Sequence, residues 1–250
     1  MGAALAYAQT PEVIQQRLEL VSRNLDQRRT TLESLFRQVG CATTEESVPH
    51  SREPNILCAL DPENAGTIVV GGHFDFVDRG TGAVDDWSGV ALLPSLYQSL
   101  KDRPLRHRFL FIAFAGEEEG LFGSKQYVRA LSKEEKTGTR AMINLECLGL
   151  TTPKVWRSRA NPKLFAAYVQ AAAAAHIPAE VMDVDKLGDD DSHPFLNAGI
   201  PVLTIHSVTD ANAGLLHSAG DNLKAINPRD YYDAYRLAAT YLAYLDSKLE

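Results

Sequence analysis

The chain has 250 residues, 45% of them hydrophobic and 23% charged, the profile of a soluble α/β domain. A formal charge of −7 without a basic block argues against a phosphate-backbone partner, so no nucleic-acid binding is expected. No apolar run reaches the ~18–20 residues that cross a bilayer, and a transmembrane segment is not expected.

At the start, "MGAALAYAQTPE" places Ala6-Tyr7-Ala8 where a secretory signal would be cut, yet it lacks the charged start and full apolar core of a signal. Residues 1–9 are read as a signal remnant or as residues from cloning, which points to a secreted or periplasmic protein. The bland alternative is that "AALAYA" opens a helix. Apolar residues at 14, 18, 21, 25, 32, 35, 36 and 39 keep a helical period, with Thr10-Pro11 as its start and Gly40 as its stop. The stretch "DQRRTT" is expected to divide this segment into two helices.

Cys41 and Cys58 flank a turn-like stretch at Pro49-His50-Ser51. If 42–48 and 54–60 form a hairpin, the two thiols could face one another and bridge in an oxidising compartment; two reduced buried thiols are the equal alternative. Cys147 reads as packing.

Beyond the hairpin, apolar runs and helical patterns alternate. "NILCAL" and "TIVVGG" read as strands, followed by a helix from about Ser88 to Leu100. Then come the strand "RFLFIAFA", a helix near Ser124–Leu131, the strand "AMINLECL", the helix "KLFAAYVQAAAAAH" and the strand "IPVLTIHS". A last helix opens at Asn227-Pro228, with Asp230 three residues after the cap, and runs to about Ser247. This order implies one α/β domain over residues 1–250. Its central sheet is mixed and mostly parallel, with helices on both faces.

Ligands of such sheets bind beyond the carboxyl ends of the strands, so the residues that follow each strand matter most. They are His73 and Asp75, then Glu117, Glu118 and Glu119, then Glu146, then His217, with Asp85 in the loop after the first. Imidazoles and carboxylates in this mixture suit zinc. His73 and Asp75, two apart on an extended chain, share a side, so the carboxylate can hold the ring that binds metal. Glu117 and Glu118 point differently, leaving one free to carry a proton, and Asp85 is the natural bridge between two metals. The alternative is ordinary loop polarity.

"GGHFD", "GAVDDWSG", "GEEEGLFGS", "INLECLG" and "HSAGD", in that order, resemble the co-catalytic dizinc aminopeptidases, of which secreted bacterial leucyl aminopeptidases are typical. The resemblance runs from about residue 10 to the end. It implies a zinc exopeptidase-like fold with two zinc ions per chain. One ion would be held by His73, Asp85 and Glu146, the other by Asp85, Glu118 and His217. It further implies Glu117 as general base, Asp75 as support for His73, a cis bond between Asp85 and Asp86, and peptides with a free N-terminus as substrates. In "GDDDSHPFLNAGIPVL", a segment like one that lines the substrate side in relatives, Asp191 and His193 are candidate substrate-binding residues; an acidic loop before a helix is the alternative.

Two positions depart from the pattern. Glu146 stands where many aminopeptidases have Asp, and Leu216 where relatives carry a Tyr aimed at the developing oxyanion. Trp87 is either a pocket wall or a helix start; His107 and His176 read as surface or capping residues, and His206 as packed.

Three other readings stay open. Glutaminyl cyclase is a one-zinc acyltransferase of the same fold, similar to this chain at "HFD", "GEE", "SHPFLNAGIPVL" and the final histidine. It carries Trp where this chain has Leu216. A dizinc carboxypeptidase or dipeptidase is the second reading, and a binding domain on the same scaffold without metals is the third.

Overall fold

The computed structural model describes residues 7–61 and 66–249; residues 1–6, on which most of the leader reading rests, lie outside them. Two helices open the chain, α1 (Pro11–Leu18) and α2 (Leu25–Gln38). They part at residues 19–24, a full turn before the expected break. The reason is Asn24, whose side chain caps α2 by accepting from the Gln27 N–H, so that "DQRRTT" becomes the first turns of α2. Strands β1 (Thr44–Glu46) and β2 (Asn55–Leu60) pair antiparallel. Beside them Cys41 and Cys58 form a disulfide with their Cα atoms 6.2 Å apart, which settles the open question of the thiols.

After β3 (Thr67–His73) come a tight bend at 83–87 and two helical pieces, α3 (Ser88–Val90) and α4 (Leu93–Leu100). The expected single helix is interrupted because Pro94 has no N–H for the carbonyl four residues back. The remaining elements are β4 (Arg108–Phe114), α5 (Phe122–Ala130), α6 (Lys133–Gly138), β5 (Thr139–Glu146), β6 (Lys154–Val155), α7 (Pro162–Ala175), β7 (Glu180–Val181), α8 (Ser192–Asn197), β8 (Val202–His206) and α9 (Pro228–Lys248).

The sheet has eight strands in the order β1-β2-β4-β3-β5-β8-β6-β7. Its centre, β4-β3-β5-β8, is parallel, while β2 and β6 run antiparallel to their inner neighbours. The mixed, mostly parallel sheet expected from the sequence is present. The short pair β6 and β7 at the far edge, two residues each, was not anticipated.

Alternation along the central strands fills both faces. Ile68, Val70, Phe109, Phe111, Ile143 and Leu203 join a large core with the residues of α1, α2, α4, α7 and α9. Val69, Leu110, Ile112, Met142 and Val202 join a smaller one with Tyr127 and Val128 of α5 and Phe195 of α8. Because the four central strands are parallel, their carboxyl ends open on one rim. His73 lies level with Phe114, and Glu146 with His206.

Candidate metal centre

β3 delivers His73 to the rim fully buried. Its Nε2 lies 3.1 Å from Asp85 Oδ1 and 3.4 Å from Glu146 Oε1. On the other side of Asp85, Oδ2 is 3.1 Å from His217 Nε2, which is itself 3.0 Å from Glu118 Oε2. One carboxylate therefore stands between two imidazoles, one oxygen to each. The atoms of His73, Asp85 and Glu146 lie within 4.8 Å of one another, as do those of Asp85, Glu118 and His217. His73, Glu117 and Glu118 meet the same criterion, and Glu117 Oε2 is 3.8 Å from His73 Nε2.

Asp75 does more than the sequence suggested. Its Oδ1 is 3.7 Å from His73 Nδ1, while its own backbone carbonyl lies nearer to that nitrogen, at 3.2 Å. Both carboxylate oxygens accept backbone N–H groups, from Glu117 at 3.1 Å and Glu118 at 3.0 Å. Asp75 thus fixes the histidine and the acidic loop after β4 together.

Asp85 and Asp86 are joined by a cis peptide bond. Their side chains have different tasks. Asp86 is fully buried and faces inward, where its carboxylate accepts the N–H groups of His73, Gly89 and Cys147 and so ties together the ends of β3, α3 and β5. A side chain on Gly72 would collide with Asp86 Oδ2, its Cβ falling only 2.6 Å away. Glycine is required there by the aspartate.

Beneath the loop from β3 lies a residue that sequence reading passed over. Arg28 of α2 is completely buried and donates to the carbonyls of Phe74, Thr81, Gly82 and Ser22. Its guanidinium lies over the Phe76 ring, 4.3 Å from the centroid. Burial lowers its pKa to about 10, with nearby Asp221, Asp75, Asp86 and Asp85 favouring the charge. Asp221, from "HSAGD", accepts the Val84 N–H at 2.7 Å and holds the same bend from the other side. Trp87, left open between pocket wall and helix start, is core. It is fully buried and donates to the Leu18 carbonyl.

Burial dominates the titration of the rim. It raises Glu117 well above the carboxylate range, Glu118 to about 7, and Glu146 less strongly. Burial works against a charged His73, but Glu117, Glu146, Asp75 and Asp85 outweigh it and raise its pKa. The hydrogen bond to Asp85 raises His217 to about 9. Asp85 moves the opposite way: burial opposes its charge, yet hydrogen bonds from His217 and His73 hold it below the usual range.

A cavity of ≈ 210 Å³ opens beside the rim. Asp85, Glu117, Glu118, Glu146 and His217 line it together with the apolar residues Trp156, Val184, Leu187, Val208 and Leu216. Leu216, one of the two positions expected to depart from the family pattern, is thus part of the apolar lining.

Asp191 and His193, expected on the substrate side, do not line this cavity; Asp189 and Asp190 do. Asp191 is fully buried with neither oxygen hydrogen-bonded, and burial lifts it to about 8. His193 lines a separate groove and pairs with Asp189 at 2.8 Å. The "DDD" run signalled the region but not which aspartate faces the opening. His206 is packed as expected: its Nε2–H donates to the Met182 carbonyl, Nδ1 accepts from Val208, and burial lowers its pKa to about 4.

The sequence model of peptidase family M28 matches residues 55–242. The chain belongs to that family. Aminopeptidase YwaD of Bacillus subtilis is 28% identical to this M28 chain over 175 residues, covering 67% of it and 38% of YwaD. The chain spans only 29–38% of the length of this relative, of aminopeptidase Y of Saccharomyces cerevisiae and of leupeptin-inactivating enzyme 1 of Streptomyces exfoliatus. Among solved structures, Legionella pneumophila LapA aminopeptidase superposes with a TM-score of 0.85 at 21% identity, over 96% of this chain and 73% of LapA. Porphyromonas gingivalis glutaminyl cyclase does so with a TM-score of 0.76 at 23% identity, over 98% of this chain and the whole of the cyclase. At these identities the two share the M28 chain's fold. Among the described residues no helix is long and apolar enough to cross a membrane.

Proposed function

We propose that this M28 protein is a dizinc aminopeptidase that removes N-terminal residues from peptides. The observation that carries the reading is Asp85, with one carboxylate oxygen 3.1 Å from each of two histidines that have separate carboxylate partners. The residues fit zinc. The donors are imidazole nitrogen and carboxylate oxygen, and Glu118 Oε1 is buried with no hydrogen-bond partner. His73, Asp85 and Glu146 would hold one ion, and Asp85, Glu118 and His217 the other.

Two zinc ions there would supply an acidified water and a polarised scissile carbonyl. Glu117 belongs to neither set and accepts the water's proton, then returns it to the leaving amine. Its backbone N–H is held by Asp75. The substrate's free amine is anchored at the Glu146 side of the rim, and its first side chain enters the cavity between Trp156 and Leu216. The Cys41–Cys58 disulfide supports export to an oxidising compartment.

Zinc per chain, measured after reconstitution and removal of loose metal, tests this directly. Two ions together with release of the N-terminal residue from a chromogenic amide are expected. One ion with cyclisation of a glutaminyl peptide would instead favour the acyltransferase, whose fold matches end to end. No retained zinc would overturn both readings.

A further inference from the structure

Part of the cavity's apolar lining comes from the loop 182–189, between β7 and α8, which contributes Val184, Leu187, Gly188 and Asp189, and from Trp156 just after β6; Val208 and Leu216 supply the rest. Val184 alone of this loop packs against the main core, and Leu187 at its lip is 51% exposed. Met182 is tied to Val155 and His206, and most of the loop's other polar attachments lead to residues 156–159. The Ser158 N–H donates to Asp183 at 2.7 Å, the Ser158 hydroxyl to both oxygens of Asp185, and Trp156 Nε1 to Asp185 Oδ1 at 3.2 Å.

Arg159 binds the two ends of this arrangement. Its Nη2 lies 2.8 Å from Asp189 Oδ1 and donates to the Gly188 carbonyl at 3.4 Å, while Nε is 3.7 Å from Asp185 Oδ1. Its Cζ lies over the Trp156 ring, 3.9 Å from the centroid. A planar fork can face two carboxylates and an aromatic ring at once, which a lysine ammonium cannot. Asp189 is also held from outside by His193.

The geometry points to Arg159 as the positioning residue that sets the width of the cavity, and thereby the size of the N-terminal side chain this protein prefers. It touches none of the metal-facing residues. It acts through Trp156 and the 182–189 loop, both of which line the cavity that a large apolar side chain would fill. Asp189 and Asp190 in the same lining disfavour an acidic side chain. The inference rests on the aminopeptidase reading for its substrate, but not for its geometry.

The test compares wild type with Arg159→Gln and Arg159→Lys on alanyl, leucyl and phenylalanyl p-nitroanilides, with zinc content measured alongside. Expected is a rise in KM of about tenfold for the leucyl and phenylalanyl substrates, the range of an apolar pocket contact. The alanyl KM and all kcat values should change far less, and zinc content should stay the same. Lysine should not rescue, because it keeps the charge and loses the fork. An equal loss on all three substrates, or full rescue by lysine, overturns the proposal.

A second readout needs no turnover. Fluorescence of Trp156, with Trp87 buried as a constant background, follows binding of leucine amide and phenylalanine amide to metal-free protein. Wild type that binds these amides while its zinc-loaded form cleaves no anilide leaves this inference standing while the aminopeptidase reading falls. No binding by wild type, or binding unchanged in Arg159→Gln, sinks the inference itself.

Discussion

The two halves of the rim are built differently. His73 and Glu146 sit at the ends of adjacent parallel strands, and the His73 backbone is locked by Asp86. Glu118 and His217 come from loops, and the His217 side chain is 53% exposed. Asp85 belongs to both. The inner half is preorganised by the sheet; the outer half is preorganised only where Asp75 holds the Glu118 backbone and Asp221 the bend before Asp85. If both halves bind zinc, the inner ion should be the last to leave during chelation, because less rearrangement accompanies its binding.

The largest effect expected is one that breaks neither half. Glu117→Gln should lower kcat by about 10²–10⁴-fold with both zinc ions retained, as measured by steady-state kinetics beside metal analysis. Loss of an ion in this variant would place Glu117 among the ligands instead.

His206, opposite Glu146 on β8, tests how rigid the inner side is through pH. Its folded pKa of about 4 lies below the unfolded value of ~6.5, so the unfolded chain takes up the proton first. The neutral histidine's contribution is full above ~6.5 and is lost as pH falls toward 4, by at most about 3 kcal/mol. Urea unfolding of wild type and His206→Gln across that range should show the steeper decline in wild type; parallel curves would contradict this.

Asp75→Asn leaves one acceptor where two N–H groups converge, and a ~10–100-fold loss of metal affinity in a chelator competition is expected, affecting both ions. An effect on only one ion would mean that Asp75 serves a single half.

The smallest contrast is between His73→Ala and His217→Ala without metal. Removing the buried His73 should destabilise the protein by about 1–3 kcal/mol, since Asp85 and Glu146 lose their partner. Removing the exposed His217 should cost about 0.5 kcal/mol or less. Equal losses would erase the distinction between the halves.

The sequence displayed the inner half more plainly than anything else. Strong apolar runs defined β3, β4, β5 and β8, and a polar residue at the end of each marked the rim. Patterns that rely on burial across the chain stayed silent. Nothing in "DQRRTT" separates Arg28, wholly buried, from its neighbour Arg29, which pairs with acids at the surface. "DDW" looks like two equivalent acids until the backbone turns Asp86 into the protein. β6 and β7 are too short to carry an alternation, so the wall built from them was invisible, and attention fell on Asp191 rather than Asp189.

Arg28 also bears on what counts as a unit in this molecule. The family model begins at residue 55, as though the first two helices were an addition to a self-sufficient peptidase core. Yet the cation that satisfies the carbonyls of Phe74, Thr81 and Gly82 arrives from α2, and the Cys41–Cys58 bond staples the same helical arm to β2. A fragment trimmed to residues 55–242 would leave those carbonyls facing an empty socket under the loop that presents Asp85. The shared segment is therefore a unit of descent and not a unit of folding.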